Sequence, residues 1–210
     1  MTETHGRDWV EIAATVLLAI AAVATAWSSY QATRWNGEQA KTSGRVNKTR
    51  IEAARVSDLA NAQKQVDVAT FIQWIDAYAH DETELTEFYE TRFRAEFKPA
   101  FAAWLATKPL RNPDAPPTPF VMPQYKVAAE QEAARLDAEA EVSSAMVRRN
   151  IQRSSNYVLG VVLFSISLFF AGTSTRLGDV RLRRIALGVG CTMFVGTVIW
   201  LATQPVSVSI

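Results

Sequence analysis

Residues 173–184 read TSTRLGDVRLRR, and this short connector decides how the chain is organised. Before it lies NYVLGVVLFSISLFFAG, Asn156–Gly172; after it lies IALGVGCTMFVGTVIWLA, Ile185–Ala202. Neither run holds an ionisable group except the phenol of Tyr157 and the thiol of Cys191. Each reaches the roughly 17–25 residues that a helix needs to cross about 30 Å of hydrocarbon. Four arginines, Arg176, Arg181, Arg183 and Arg184, crowd the connector between them. Apolar helices dissolve in lipid while guanidinium groups stay at its surface, so the pattern reads as a membrane hairpin.

A third apolar run, Val10–Tyr30, stands near the beginning and is uncharged from Ile12 to Ala32. Trp9 and Trp27 would be about 27 Å apart along a helix, close to the bilayer core thickness. Trp9, Trp27, Tyr30 and Trp200 therefore read as interface aromatics. Small residues at Ala22 and Ala26, and at Ala21 and Thr25, suit close helix packing, as do Gly188, Thr192 and Gly196 in the third span. Ala24-Thr25-Ala26 offers a cleavage pattern, but Glu3, Asp8 and Glu11 deny the leader a clearly positive region, so an uncleaved anchor is expected.

The 22 basic and 21 acidic side chains exclude a strongly basic nucleic-acid binder. A lone cysteine forms no intrachain disulfide; within an apolar run, Cys191 reads as a small inert hydrophobe.

The middle of the chain is ordinary amphipathic sequence. From Val46 to Tyr78, apolar residues such as Phe71, Trp74, Ile75 and Tyr78 fall at helical spacing. Gly37 and Gly44 are weak points where the first long helix would bend after leaving the membrane. Asp81 with Glu84 reads as a helix-start signal. Residues 82–97 predict a short helix, Lys98-Pro99 a turn, and AFAAWLAT another helix. Six prolines make residues 108–123 an irregular loop. From Gln124 the chain is helix-prone into the second span, with a seam of Ala129, Ala133, Leu136, Ala140, Ser143 and Val147. Close spacing along that seam predicts an antiparallel partner, most simply the helix of residues 46–78.

The expected fold is an all-α membrane protein. Three transmembrane helices carry a stalk of two antiparallel long helices, of coiled-coil character, with a small helical and aromatic cap. The expected divisions are a tail (1–9), a span (10–30), a helical domain (31–155), a span (156–173), the arginine loop (174–184), a span (185–202) and a tail (203–210). Short loops orient spans by their cations. On that rule the N-terminus and the arginine loop are cytoplasmic and the domain extracytoplasmic. Arg34, Lys41, Arg45, Lys48 and Arg50 after the first span, with Arg148, Arg149 and Arg153 before the second, oppose this count but belong to a long domain that the rule weighs little.

Asp76, His80 and Glu84 would share a face if the helix ran through Asp81, and could then ligate a divalent cation. A solvated acidic face is the commoner meaning, so no metal or other cofactor is assigned. Phe88, Tyr89, Phe93, Phe97, Phe101 and Trp104 read as the cap's core rather than a ligand pocket. The basic belt near the membrane reads as snorkelling side chains rather than lipid ligands. No nucleophile–base set, phosphate loop or metal-spaced cysteines occur, so no enzyme is expected.

SSYQATRWNGEQA, FIQWIDAYA, EFYETRFRAEFKPAFAAWLAT, NPDAPPTPFVMPQY and NYVLGVVLFSISLFFAG together resemble a family of uncharacterised bacterial three-span membrane proteins. The resemblance covers most of the chain. It implies a bacterial plasma (inner) membrane setting and transfers no catalytic or binding residues.

The expected role is a non-enzymatic, multi-pass membrane protein. Its domain is a partner-binding, scaffold or sensory module for an unknown protein, and the chain contacts lipid, forms homo-oligomers through Gly188, Thr192 and Gly196, and binds no nucleic acid. The alternatives are a subunit of an oligomeric channel or small transporter, and a divalent-cation or lipid sensor. Thr15, Thr25, Ser165, Ser167, Thr192 and Thr197 could line a polar path, although such hydroxyls usually bond their own helix.

Overall fold

The computed structural model describes residues 3–109 and 111–207, with the backbone alone for 3–8. Residues 1–2 of the expected N-terminal tail, the Arg7 side chain and residues 208–210 of the C-terminal tail lie outside what is described. The described residues form five α-helices and no strand: α1 (Glu3–Ala79), α2 (Thr83–Arg92), α3 (Lys98–Ala106), α4 (Ala128–Ser174) and α5 (Val180–Ala202). A 3-10 turn, Pro119–Val121, interrupts the proline-rich loop. Three helices, α1, α4 and α5, are long and apolar enough to cross a membrane. Only 17 %, 33 % and 17 % of their apolar windows is buried in the protein. The remaining apolar surface needs an apolar solvent.

The chain divides into two compact units, residues 1–45 with 143–210, and residues 46–142. Buried positions on α1 recur every seven residues. The series runs Ala14, Ala21, Ser28 and Trp35 in the first unit and Val46, Ala53, Ala60, Asp67 and Trp74 in the second, with Leu17, Gln31, Ala32, Phe71 and Ala77 also buried beside it. A seven-residue interval keeps one narrow face turned towards a neighbouring helix. Gly37 and Gly44 lie within α1, whose helical hydrogen bonding continues through both.

In the membrane unit the packing atoms are small. A Cβ on Gly190 would stand 3.3 Å from the Ser167 carbonyl, so α5 approaches the backbone of α4 there. Phe164 packs on Phe194 at 5.4 Å between ring centres. At one end, Ser154 Oγ donates to the Ala32 carbonyl and to Asn36 Oδ1. The chain beyond α5 returns to this end. The Gln31 amide accepts from Ser207 N at 3.0 Å and donates to its carbonyl at 3.5 Å, while Tyr157 Oη donates to the Pro205 carbonyl at 3.2 Å.

In the second unit, Lys64 pairs with Glu130 and Arg50 with Glu141, so α1 and α4 run antiparallel. Of the expected α4 seam, Ala133, Leu136 and Ala140 are buried, while Ala129, Ser143 and Val147 are half-buried. Phe71 and Trp74 of α1 join Phe93, Phe97, Phe101 and Trp104 in one core, against which Tyr89, Phe120, Met122 and Tyr125 pack.

Several boundaries differ from expectation. Asp81 is no helix start: it takes a left-handed φ of 60° after α1, and Glu82 precedes α2 without a capping side chain. α2 ends at Arg92 rather than residue 97, because Phe93 turns inward to the core. Lys98-Pro99 opens α3 instead of forming a turn; proline in the first helical turn lacks only an amide that would have no partner. α4 begins at Ala128 rather than Gln124, after the Tyr125 side chain has reached back to Asp67. The connector is also shorter than 174–184: Asp179 Oδ1 accepts from Arg181 N at 2.7 Å and caps α5.

Candidate binding groove

The concave surface of the second unit lies where α1 ends. Trp74, Ile75, Tyr78 and Ala79 from α1, Trp104 from α3, and residues of the proline-rich loop enclose a groove of about 550 Å³. Local chemistry builds it. Trp74 and Tyr78 are one helical turn apart, so their rings stack, with centres 5.3 Å apart and planes 24° from parallel. Both indole N–H groups are satisfied elsewhere: Trp74 Nε1 donates to Glu90 and Trp104 Nε1 to the Pro116 carbonyl. That second bond fastens the loop to the groove floor. Lys108 holds a left-handed φ of 53°, and its carbonyl accepts from Arg111 N and Asn112 N, turning the loop back. Asn112 is spent within the loop, its Oδ1 accepting from Asp114 N.

What remains open is apolar and aromatic, with one cation. Tyr78 is 47 % and Ile75 42 % exposed at the rim, beside Pro113, Pro116 and Pro117. Arg111 is exposed and makes no ion pair among the described residues. Aromatic faces with proline walls offer stacking and dispersion contact, and Arg111 adds attraction for an anion.

Two turns before Trp74 on α1 lies a polar group that sequence reading missed. Asp67 is 1 % exposed; its Oδ2 accepts from Arg94 Nη1 at 2.8 Å and from Tyr125 Oη at 3.0 Å. Arg94 also pairs with Glu96. Burial raises the Asp67 pKa above its ordinary value, against the pull of Tyr125 and Arg94. Burial and the Asp67 carboxylate raise that of the Tyr125 phenol. Asp67 Oδ1 is buried with no hydrogen-bond donor. The position gave one signal, an acid at an apolar position of a seven-residue repeat.

The candidate metal trio, Asp76, His80 and Glu84, is not assembled. α1 ends before Asp81, so Glu84 starts a different helix, and no group of three metal-ligating side chains occurs among the described residues. His80 instead bonds back to its own helix, Nδ1 to the Asp76 carbonyl at 2.8 Å, which with the Asp76 carboxylate raises its pKa. Of the cap aromatics, Phe93, Phe97, Phe101 and Trp104 are core, Tyr89 packs against it, and Phe88 is 44 % exposed beneath the Arg92 guanidinium.

In the membrane unit, Arg176, Arg181 and Arg184 are exposed, but Arg183 is turned inward with its side chain 8 % exposed. Its Nη2 lies 3.8 Å from Glu11 Oε2, the one carboxylate in the apolar run 10–30. Trp9, Trp27 and Tyr30 are exposed and Trp200 is half-buried. Gly188, Thr192 and Gly196 face outward; the helix contact within the chain uses Gly190 and Thr197 instead. Cys191 is likewise exposed on α5 rather than buried in protein. Thr15, Thr25, Ser165, Ser167, Thr192 and Thr197 each donate to a carbonyl four residues earlier, so none of these hydroxyls has its proton free for a pore.

No family model, curated protein or solved structure matches this chain.

Proposed function

We propose that this chain is a non-enzymatic integral membrane protein whose helical unit binds a partner segment in the groove at the end of α1. The observation that carries the reading is the pairing of half-exposed Tyr78 and Ile75 with a proline wall and the unpaired cation Arg111. Such a surface suits an extended apolar segment that brings an acidic side chain or carboxylate to Arg111. The setting is a bacterial plasma membrane, on the resemblance described above. The N-terminus and the 175–179 connector are cytoplasmic and the groove lies on the other side, on the exposed charges of Arg176, Arg181 and Arg184.

A photo-reactive amino acid at position 78 or 75, introduced in living cells, tests the groove. The expected result is a discrete crosslinked adduct that disappears when Ala115→Arg fills the groove and persists in Glu141→Gln, whose side chain pairs with Arg50 and does not line the groove. Crosslinks indifferent to Ala115→Arg would dismiss it. Sidedness is read separately by labelling cysteines placed at Ala115 and at Asp179 in a Cys191→Ser background. An impermeant reagent is expected to reach only the first from outside.

A further inference from the structure

We propose that the basic collar of Arg149 and Arg153 beside Trp35 is a binding site for the headgroup of an anionic phospholipid. The collar lies wholly within the membrane unit, and the proposal is independent of the groove.

Depth is the first argument. Trp27 and Tyr30 pair their rings at 5.9 Å and are each about half exposed. Trp35 lies about 7 Å further along α1 at helical rise. A bilayer's polar layer extends roughly 5–8 Å beyond its hydrocarbon core on each side, so Trp35 and its neighbours stand at headgroup depth. Directly below, Tyr30, Val158 and Leu159 present half-exposed apolar surface where acyl chains would lie.

Charge is the second. Residues 31–45 and 143–156 hold six Lys or Arg side chains and one carboxylate, Glu38. Lys41 Nζ lies 3.1 Å from Glu38, and neither Arg149 nor Arg153 has an ion-pair partner among the described residues. The local excess of positive charge is largest where lipid phosphates concentrate negative charge.

Preorganisation is the third, and it separates this collar from loosely snorkelling side chains. The Arg153 guanidinium carbon sits 4.5 Å from the centre of the Trp35 ring. Stacking fixes the guanidinium plane and leaves its N–H edge for an oxygen acceptor. Trp35 is itself 8 % exposed, and its indole N–H is buried with no acceptor among the described residues, so the ring serves as a fixed platform rather than as a donor. The stacked Arg153 guanidinium offers donors and no acceptor, and a phosphate diester offers acceptors and no donor.

The test is native mass spectrometry of the full chain from detergent, with phosphatidylglycerol and phosphatidylcholine of identical acyl chains added at equal concentration. Phosphatidylglycerol adducts are expected to predominate. Arg149→Gln, at an exposed position, should weaken them about fivefold, the usual effect of one basic residue at an anionic surface. Arg149→Gln with Arg153→Gln should abolish the preference while the melting temperature holds; if that pair does not fold, the single variant decides. Equal retention of the two lipids would overturn the proposal, as would an unchanged preference in Arg149→Gln. Loss of the preference in Arg176→Gln/Arg181→Gln instead would place the lipid at the other end. Displacement by soluble glycerol phosphate as effectively as by lipid would make the ligand a free phosphate ester.

Discussion

Arg94 reaches back 27 residues to place Nη1 2.8 Å from Asp67 Oδ2, joining the turn after α2 to the buried face of α1. A carboxylate that is 1 % exposed survives there only because Arg94 and Tyr125 both serve it. Removing one partner leaves the other unsatisfied. Asp67→Ala is expected to cost about 3 kcal/mol of unfolding free energy, and Asp67→Asn, which keeps an acceptor, markedly less. Tryptophan fluorescence during denaturant unfolding in detergent reads both, since Trp74 and Trp104 lie in the adjoining core. A loss in Asp67→Ala below about 0.5 kcal/mol would contradict a structural role.

Acid should affect this pair in an unusual direction. The Asp67 pKa is raised from an ordinary value near 3.8, so the folded protein binds its proton more readily than the unfolded chain. The resulting contribution is fully present below pH 3.8 and is lost as pH rises through the raised value. Wild type should therefore gain stability relative to Asp67→Asn as pH falls through that window. Paired melting curves from pH 3 to 7 test it, and a difference that is flat or of opposite sign would refute the assignment.

The tail beyond α5 should be held by one side chain. Gln31 is fully buried and bonds both backbone groups of Ser207. Gln31→Ala is expected to cost about 1–2 kcal/mol and to free the Ser207 amide. Hydrogen exchange at that amide should accelerate roughly tenfold or more, as 1.4 kcal/mol implies. Unchanged exchange would show that Tyr157 and Pro205 hold the tail without it.

Glycines of α5 should divide by face. Gly190→Ala pushes a methyl against the Ser167 backbone, which cannot yield as a side chain can, and should destabilise by about 1 kcal/mol despite alanine's better helix propensity. At Gly188 and Gly196 an added Cβ meets nothing within 4 Å. Alanine there should be neutral or stabilising by up to about 1 kcal/mol in the monomer. A destabilisation confined to assembled protein would reveal a second copy on that face. Thermal melts at two protein concentrations separate the cases.

The groove illustrates where sequence reading stops. Trp104 and the six prolines of residues 108–123 were visible as core and loop because spacing and backbone restriction are local properties. That Trp104 donates to the Pro116 carbonyl, leaving Tyr78 open beside the loop, depends on a contact across 12 residues of irregular chain. Asp76, His80 and Glu84 failed as a trio for a local reason that was only half legible: the break at Asp81 was signalled, but its left-handed geometry was not.

Sequence alone determined the three apolar helices and the all-helical class, because transfer of side chains from water to lipid depends on composition and length. Tertiary structure decided which polar groups were buried and with what. Arg183 looked like its three neighbours in the connector until α5 turned it inward towards Glu11. Arg153 looked like any juxtamembrane cation until Trp35 was found beneath it. The physical reason is the same in both cases: the cost of burying a charge, or the advantage of aiming one, is set by atoms far away in sequence that only folding brings within a few ångströms.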